Sequence, residues 1–78
     1  MRNVETSIGQ AIAEERSRSG FTQETFAAVC GISRRHLAAI ENGANFSVAI
    51  LLDIARNLPP TSALPFGEFV LLRPPRKS

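Results

Sequence analysis

The sequence predicts an all-α fold: a compact unit of four or five helices followed by a C-terminal tail. Three observations point to it. An apolar residue, a Ser or Thr, and a second apolar residue four positions beyond the hydroxyl recur as Phe21-Thr22 with Phe26, Ile32-Ser33 with Leu37, and Phe46-Ser47 with Leu51. That is the pattern of a helix N-cap flanked by a hydrophobic staple. Stop signals follow each start, at Gly31, Gly43 and Pro59-Pro60, because Gly tolerates the left-handed position after a helix and Pro cannot continue one. Finally, 44% hydrophobic and 21% charged residues in a 78-residue chain is a globular composition, neither disordered nor membrane-embedded.

The first helix carries Ile8, Ala11, Ile12 and Glu15 in the i, i+3, i+4, i+7 rhythm and closes at Gly20. Its start, at Asn3 or at Thr6, is left open by the sequence, and the small Gly9 and Ala13 permit close approach of a neighbour. The cap signals bound a second helix from Gln23 to Cys30, a third from Arg34 to Asn42 and a fourth from Val48 to Leu58. On the fourth, Val48, Leu51, Leu52, Ala55 and Leu58 form one stripe that Ile50 and Ile54 broaden. So wide an apolar surface exceeds what one small core absorbs, and part of it is expected to meet a partner chain.

Beyond Pro60 the character changes. Phe69 to Leu72 is short, holds a β-branched and an aromatic residue, and lies between Gly67 and Pro74, which favours a strand. A lone strand in a helical chain needs backbone partners, and the economical one is the same segment of a second copy. The tail is therefore expected to form an intersubunit β-strand, with Leu58, Phe66, Phe69, Val70, Leu71 and Leu72 at a dimer interface; the alternative is an irregular tail laid over the fourth helix. The chain divides accordingly into residues 1–58, a helical unit, and residues 59–78, a dimerisation segment with a basic end at Arg73, Arg76 and Lys77.

Several classes of function are disfavoured. Cys30 is the one cysteine; it cannot form an intrachain disulfide and reads as a small buried hydrophobe. There is no Cys–His pair, no cluster of metal ligands and no Gly-rich phosphate loop, so neither catalysis nor a metal or cofactor is expected. The longest uncharged apolar stretch, Phe46 to Leu52, is far short of the roughly 20 residues that span a bilayer. Met1 leads directly into Arg2, Asn3 and Glu5 without the apolar run of a secretion signal, and a cytoplasmic, nucleoid-associated protein is expected. Net charge is only +2, yet of the 9 basic residues all but Lys77 are Arg, the fork-shaped donor suited to phosphates and base edges.

Between the second and third helices, Cys30-Gly31-Ile32-Ser33 is just long enough to set two short helices at a steep angle. Ala27 supplies the small contact residue and Phe26, Cys30, Ile32, Leu37 and Ile40 the apolar joint, which makes a helix-turn-helix. With this motif, Ile8 to Leu58 resembles the DNA-binding domain of Cro and the lambdoid repressors, the XRE family. The resemblance rests on Ile8-Gly9, Ile12, Arg16, Phe21-Thr22-Gln23-Glu24, Ala27, Gly31-Ile32-Ser33, Ile40-Glu41-Asn42-Gly43, Ser47-Val48, Leu51-Leu52 and Ala55-Arg56. The tail departs from it, since prolines interrupt the region where that family continues into a fifth, dimerising helix.

What the resemblance implies is a homodimeric transcriptional repressor binding double-stranded DNA at a palindromic operator. It implies base reading by Arg34, Arg35 and Ala39, and backbone contacts from Gln23, Ser33, His36, Asn42 and Asn45. It also implies an ion pair between Arg16 and Glu41 that ties the first helix to the third. Independently, setting Leu37 and Ile40 inward turns Arg35, Ala38, Ala39 and Asn42 toward solvent, a face without acids that suits a groove about 12 Å wide. Gly67 to Arg73 with its basic end resembles the terminal strand of antitoxins that repress their own operons, so a toxin protein is a second candidate partner. A phage repressor or a restriction-modification controller fits the helices equally well. A protein-interaction module on the same scaffold is the reading of another class, and the acid-free face argues against it.

Overall fold

A computed structural model describes residues 4–59, 63–66 and 69–72 of the chain, with side chains from residue 5 to residue 59. Four helices run α1 (Val4–Arg18), α2 (Gln23–Cys30), α3 (Arg34–Glu41) and α4 (Val48–Asn57), and two short strands follow, β1 (Ala63–Phe66) and β2 (Phe69–Leu72). The all-α class holds for the body of the molecule, and among the described residues there is no fifth helix. No helix among them is long and apolar enough to cross a membrane.

The helix starts are built as the spacing predicts. Thr22, Ser33 and Ser47 are extended N-caps whose hydroxyl oxygens accept from Thr25 N–H, His36 N–H and Ile50 N–H. Each such cap is worth about 1 kcal/mol. The Phe21 and Phe26 rings lie 5.3 Å apart and close the first staple. The stops are built with equal economy. After α2, Gly31 N–H donates to Ala28 O at 3.2 Å and Ile32 N–H to Ala27 O at 3.0 Å, the paired closure of a Schellman turn. It needs a left-handed residue, and Gly31 has φ 77°. The same pairing ends α1 through Gly20 and Phe21, and α3 through Gly43 and Ala44. Phe21 and Ile32 thus belong at once to the stop of one helix and the start of the next.

Eleven residues from all four helices and Leu58 form one core, in which Ile8, Ile12, Phe26, Leu37, Ile40 and Ile54 are fully buried. Each such side chain contributes about 1.5–3 kcal/mol. Within it α3 lies between α1 and α2, and α4 rests on α2. Gly9 is buried on α1 against the end of α3, where a Cβ would overlap the Ile40 carbonyl oxygen and come within 3.0 Å of that of Glu41.

Cys30 sits in this core at 8% exposure. Burial pushes its thiol from 9.0 up to about 11; Asp53 adds to the rise and a hydrogen bond with Asn57 opposes it. Because the folded value exceeds the unfolded one, this group's contribution to stability is complete below pH 9 and is lost as pH rises toward 11. Urea midpoints should therefore fall across that window in the wild type, and fall less in Cys30→Ala. Parallel pH profiles for the two proteins would rule the thiol out as the cause.

Two expectations about the tail are corrected. Phe69–Leu72 is a strand, but it pairs antiparallel within its own chain, with Ala63 opposite Leu72 and Phe66 opposite Phe69. Its partner Ala63–Phe66 contains Pro65, which weakens a strand signal in sequence; a Pro is admitted to a strand wherever its nitrogen faces away from the ladder. Leu58, expected at a dimer interface, is 2% exposed and belongs to the core of its own chain. A small core assembled from four short helices draws in the far end of α4 as well. Of that helix's wide stripe only Val48 remains strongly exposed, at 68%. The side chains of Phe66, Phe69, Val70, Leu71 and Leu72, and the basic residues Arg73, Arg76 and Lys77, lie outside the described residues.

Candidate nucleic-acid interface

Beginning one residue past Ser33, α3 turns Leu37 and Ile40 into the core and leaves Arg34, Arg35, Ala39 and Asn42 exposed, with His36 and Ala38 half-buried beside them. Apart from Glu41 at its last position the helix carries no acid, and Glu41 does not face outward: its side chain is 6% exposed. Arg16 Nε donates to Glu41 Oε2 at 2.7 Å and Arg16 Nη2 to Oε1 at 3.2 Å. Arg16 Nη1 also donates to Phe21 O at 2.7 Å. One guanidinium therefore ties α1 to the turn before α2 and to the end of α3, in the bidentate geometry that makes Arg–carboxylate pairs strong.

Glu41 also governs Gln23. A carboxylate can only accept, so the Gln23 amide turns its nitrogen inward and donates to Glu41 Oε1 at 2.9 Å. Its oxygen is left facing the other way, where it accepts from Arg34 Nη1 at 3.3 Å. The result is a line of polar groups, Arg16, Glu41, Gln23 and Arg34, that begins on α1 and ends on the exposed tip of α3. Among the described residues Arg34 is held by one neutral acceptor, which leaves its other donors for a ligand. Arg35 makes no comparable contact among the described residues.

The remaining candidates are arranged around this line. Ser33 accepts the His36 N–H at 3.0 Å, which uses an oxygen lone pair and not the hydroxyl proton. Asn42 Nδ2 donates to Ala38 O at 2.9 Å, so part of that amide is spent on its own helix. Asn45 is exposed in the turn before α4. Every buried side-chain N or O atom among the described residues has a hydrogen-bond partner.

A model of the helix-turn-helix family HTH_3 matches residues 12–63. The chain belongs to this helix-turn-helix family, of XRE type. Among solved structures it is similar to the restriction-modification controller protein C.AhdI from Aeromonas hydrophila, with 33% identity and a TM-score of 0.62 over 64% of this chain and 77% of that one. It is also similar to SinR, a master regulator of biofilm formation solved in complex with DNA, with 28% identity and a TM-score of 0.58 over 62% of this chain and 79% of that one. The clp gene regulator ClgR from Corynebacterium glutamicum, at 22% identity, shares the fold with a TM-score of 0.67 over 69% of this chain and 58% of that one. No curated protein sequence matches the chain.

Within this helix-turn-helix, two links escape the sequence reading: the bond from Gln23 to Glu41, and the amide orientation it forces. The bond joins residues 18 apart, and no local spacing rule reports a contact at that separation.

Proposed function

We propose that this helix-turn-helix protein is a DNA-binding transcriptional regulator that acts as a homodimer on a two-fold symmetric operator. In this reading α3 enters the major groove, Arg34 and Arg35 reach guanine edges, Ala39 meets a thymine methyl, and Gln23, Ser33, His36, Asn42 and Asn45 line the sugar–phosphate backbone. Residues 1–58 form the reading unit and residues 59–78 join the two copies. One observation carries the proposal: the only acid on α3 is withdrawn into a pair with Arg16, so the exposed face offers cations and small side chains to a polyanion. The likeness to SinR, whose structure contains DNA, supports the same reading.

Binding to duplex DNA, followed by fluorescence anisotropy over a range of salt, should weaken by about 0.9 log units per decade of salt for each phosphate neutralised. On a selected operator, Arg34→Ala and Arg35→Ala should each cost about 1–3 kcal/mol and relax preference at one base pair. Gln23→Ala should weaken all sequences more evenly. Absence of binding at low salt would reject the proposal, and equal losses on every sequence would reject the base-reading roles of the two arginines.

A further inference from the structure

The β-hairpin has two edges, and they are not equivalent. Its register sets Phe66 opposite Phe69 with two residues between them, then Pro65 opposite Val70, Leu64 opposite Leu71 and Ala63 opposite Leu72. In an antiparallel pair closed by a two-residue connection, the closing pair exchanges both backbone hydrogen bonds, and such pairs then alternate with pairs that exchange none. Phe66–Phe69 and Leu64–Leu71 are therefore the bonded pairs. Pro65 gives the same phase independently: having no N–H to donate inward, it belongs in a non-bonded pair, and its partner Val70 is then non-bonded too.

It follows that the backbone N–H and C=O groups of Val70 and Leu72 point away from β1, along the outer edge of β2. The outer edge of β1 is poorer, because at Pro65 it has no donor at all. It is also less open, since β1 runs alongside α1. Among the described residues the sheet consists of these two strands, so β2 is its outer strand.

We infer that the outer edge of β2 pairs antiparallel with β2 of a second copy, giving a four-stranded sheet across the two-fold axis. Of the symmetric registers the alternation allows, the one centred on Leu71 pairs every outward-facing backbone group of β2 within the strand. Val70 of each copy exchanges both hydrogen bonds with Leu72 of the other, and the axis passes between the two Leu71 residues, which form a non-bonded pair. A strand edge that offers donors and acceptors in this order is self-complementary under a two-fold rotation, so a second copy of this chain is the occupant it fits. The inference rests on the homodimer proposed above and assigns where the two copies meet. It retains the self-pairing of β2 expected from the sequence, now outside a hairpin that each chain completes for itself.

The test uses the full chain and two substitutions that the phase distinguishes. Val70→Pro removes an N–H that faces outward and, like Pro65, leaves the hairpin ladder intact. It should shift the wild-type dimer to monomer in sedimentation velocity, with the helical circular dichroism unchanged. Leu71→Cys puts two thiols at a non-bonded pair, where Cα atoms lie about 4.5 Å apart, within the range a disulfide spans. On mild oxidation it should yield a covalent dimer on a non-reducing gel, and wild type, whose one thiol is buried, should not. A dimer that survives Val70→Pro and gives no crosslink through Leu71→Cys overturns the edge pairing while leaving the homodimer standing. A wild-type chain that sediments as a monomer at micromolar concentration overturns both.

Discussion

Arg16→Ala should lower the stability of the folded chain by about 3 kcal/mol in urea unfolding, the usual cost of removing one partner from a buried ion pair. The Arg16 and Glu41 side chains are 14% and 6% exposed, so the carboxylate left behind has little water and retains only the bond from Gln23. Folded domains are stable by about 5–15 kcal/mol in all, which makes this a large share. Glu41→Ala should cost less, because the longer Arg16 keeps its bond to Phe21 O and can carry its charge to solvent. The double variant should lose less than the sum of the singles, with a coupling of more than about 1 kcal/mol. Glu41→Ala should also weaken operator binding beyond any loss of folding, since Gln23 then has no partner to orient it toward Arg34. A cost below about 1 kcal/mol for Arg16→Ala would class the pair with ordinary surface bridges.

Gly9→Ala provides a test in which two rules predict opposite signs. Helix propensity favours Ala over Gly by about 1 kcal/mol in a helix interior, and Gly9 lies in the middle of α1. The packing says otherwise: the added methyl would overlap the Ile40 carbonyl oxygen, and backbone atoms in a core cannot swing aside as a side chain can. We expect a net loss of about 2 kcal/mol, read as a fall of roughly 8–16 °C in Tm for a domain of this size. An unchanged or raised Tm would mean that α1 and α3 are further apart than the structure has them. The variant should also disturb Glu41, whose carbonyl borders the same contact.

The parts of this molecule that were legible in its sequence are those written in local spacing. Thr22, Ser33 and Ser47 are recognisable because cap and staple act over four residues, and Gly20 and Gly31 because a left-handed backbone leaves few alternatives to glycine. The hairpin was half legible. Phe69–Leu72 reads as a strand on composition, whereas Ala63–Phe66 is hidden by a proline whose harmlessness depends on a register that only the pairing defines. Leu58 was misread for a different reason. An apolar residue at a helix end looks the same whether a neighbouring chain or its own core covers it. Arg16 and Glu41 are 25 residues apart, and their association was implied by family resemblance, not by spacing.

The turn through Gly31, Ile32 and Ser33 bears on how such a protein can change its target. Each of its three residues already serves a backbone purpose: Gly31 and Ile32 donate the bonds that stop α2, and Ser33 caps the start of α3. An insertion or deletion there would dismantle two helix ends together, so the joint behaves as a fixed bracket and not as a hinge. Under the reading proposed above, in which α3 carries the base contacts, a new target would be reached by exchanging side chains along α3 while the angle at which that helix is presented stays constant.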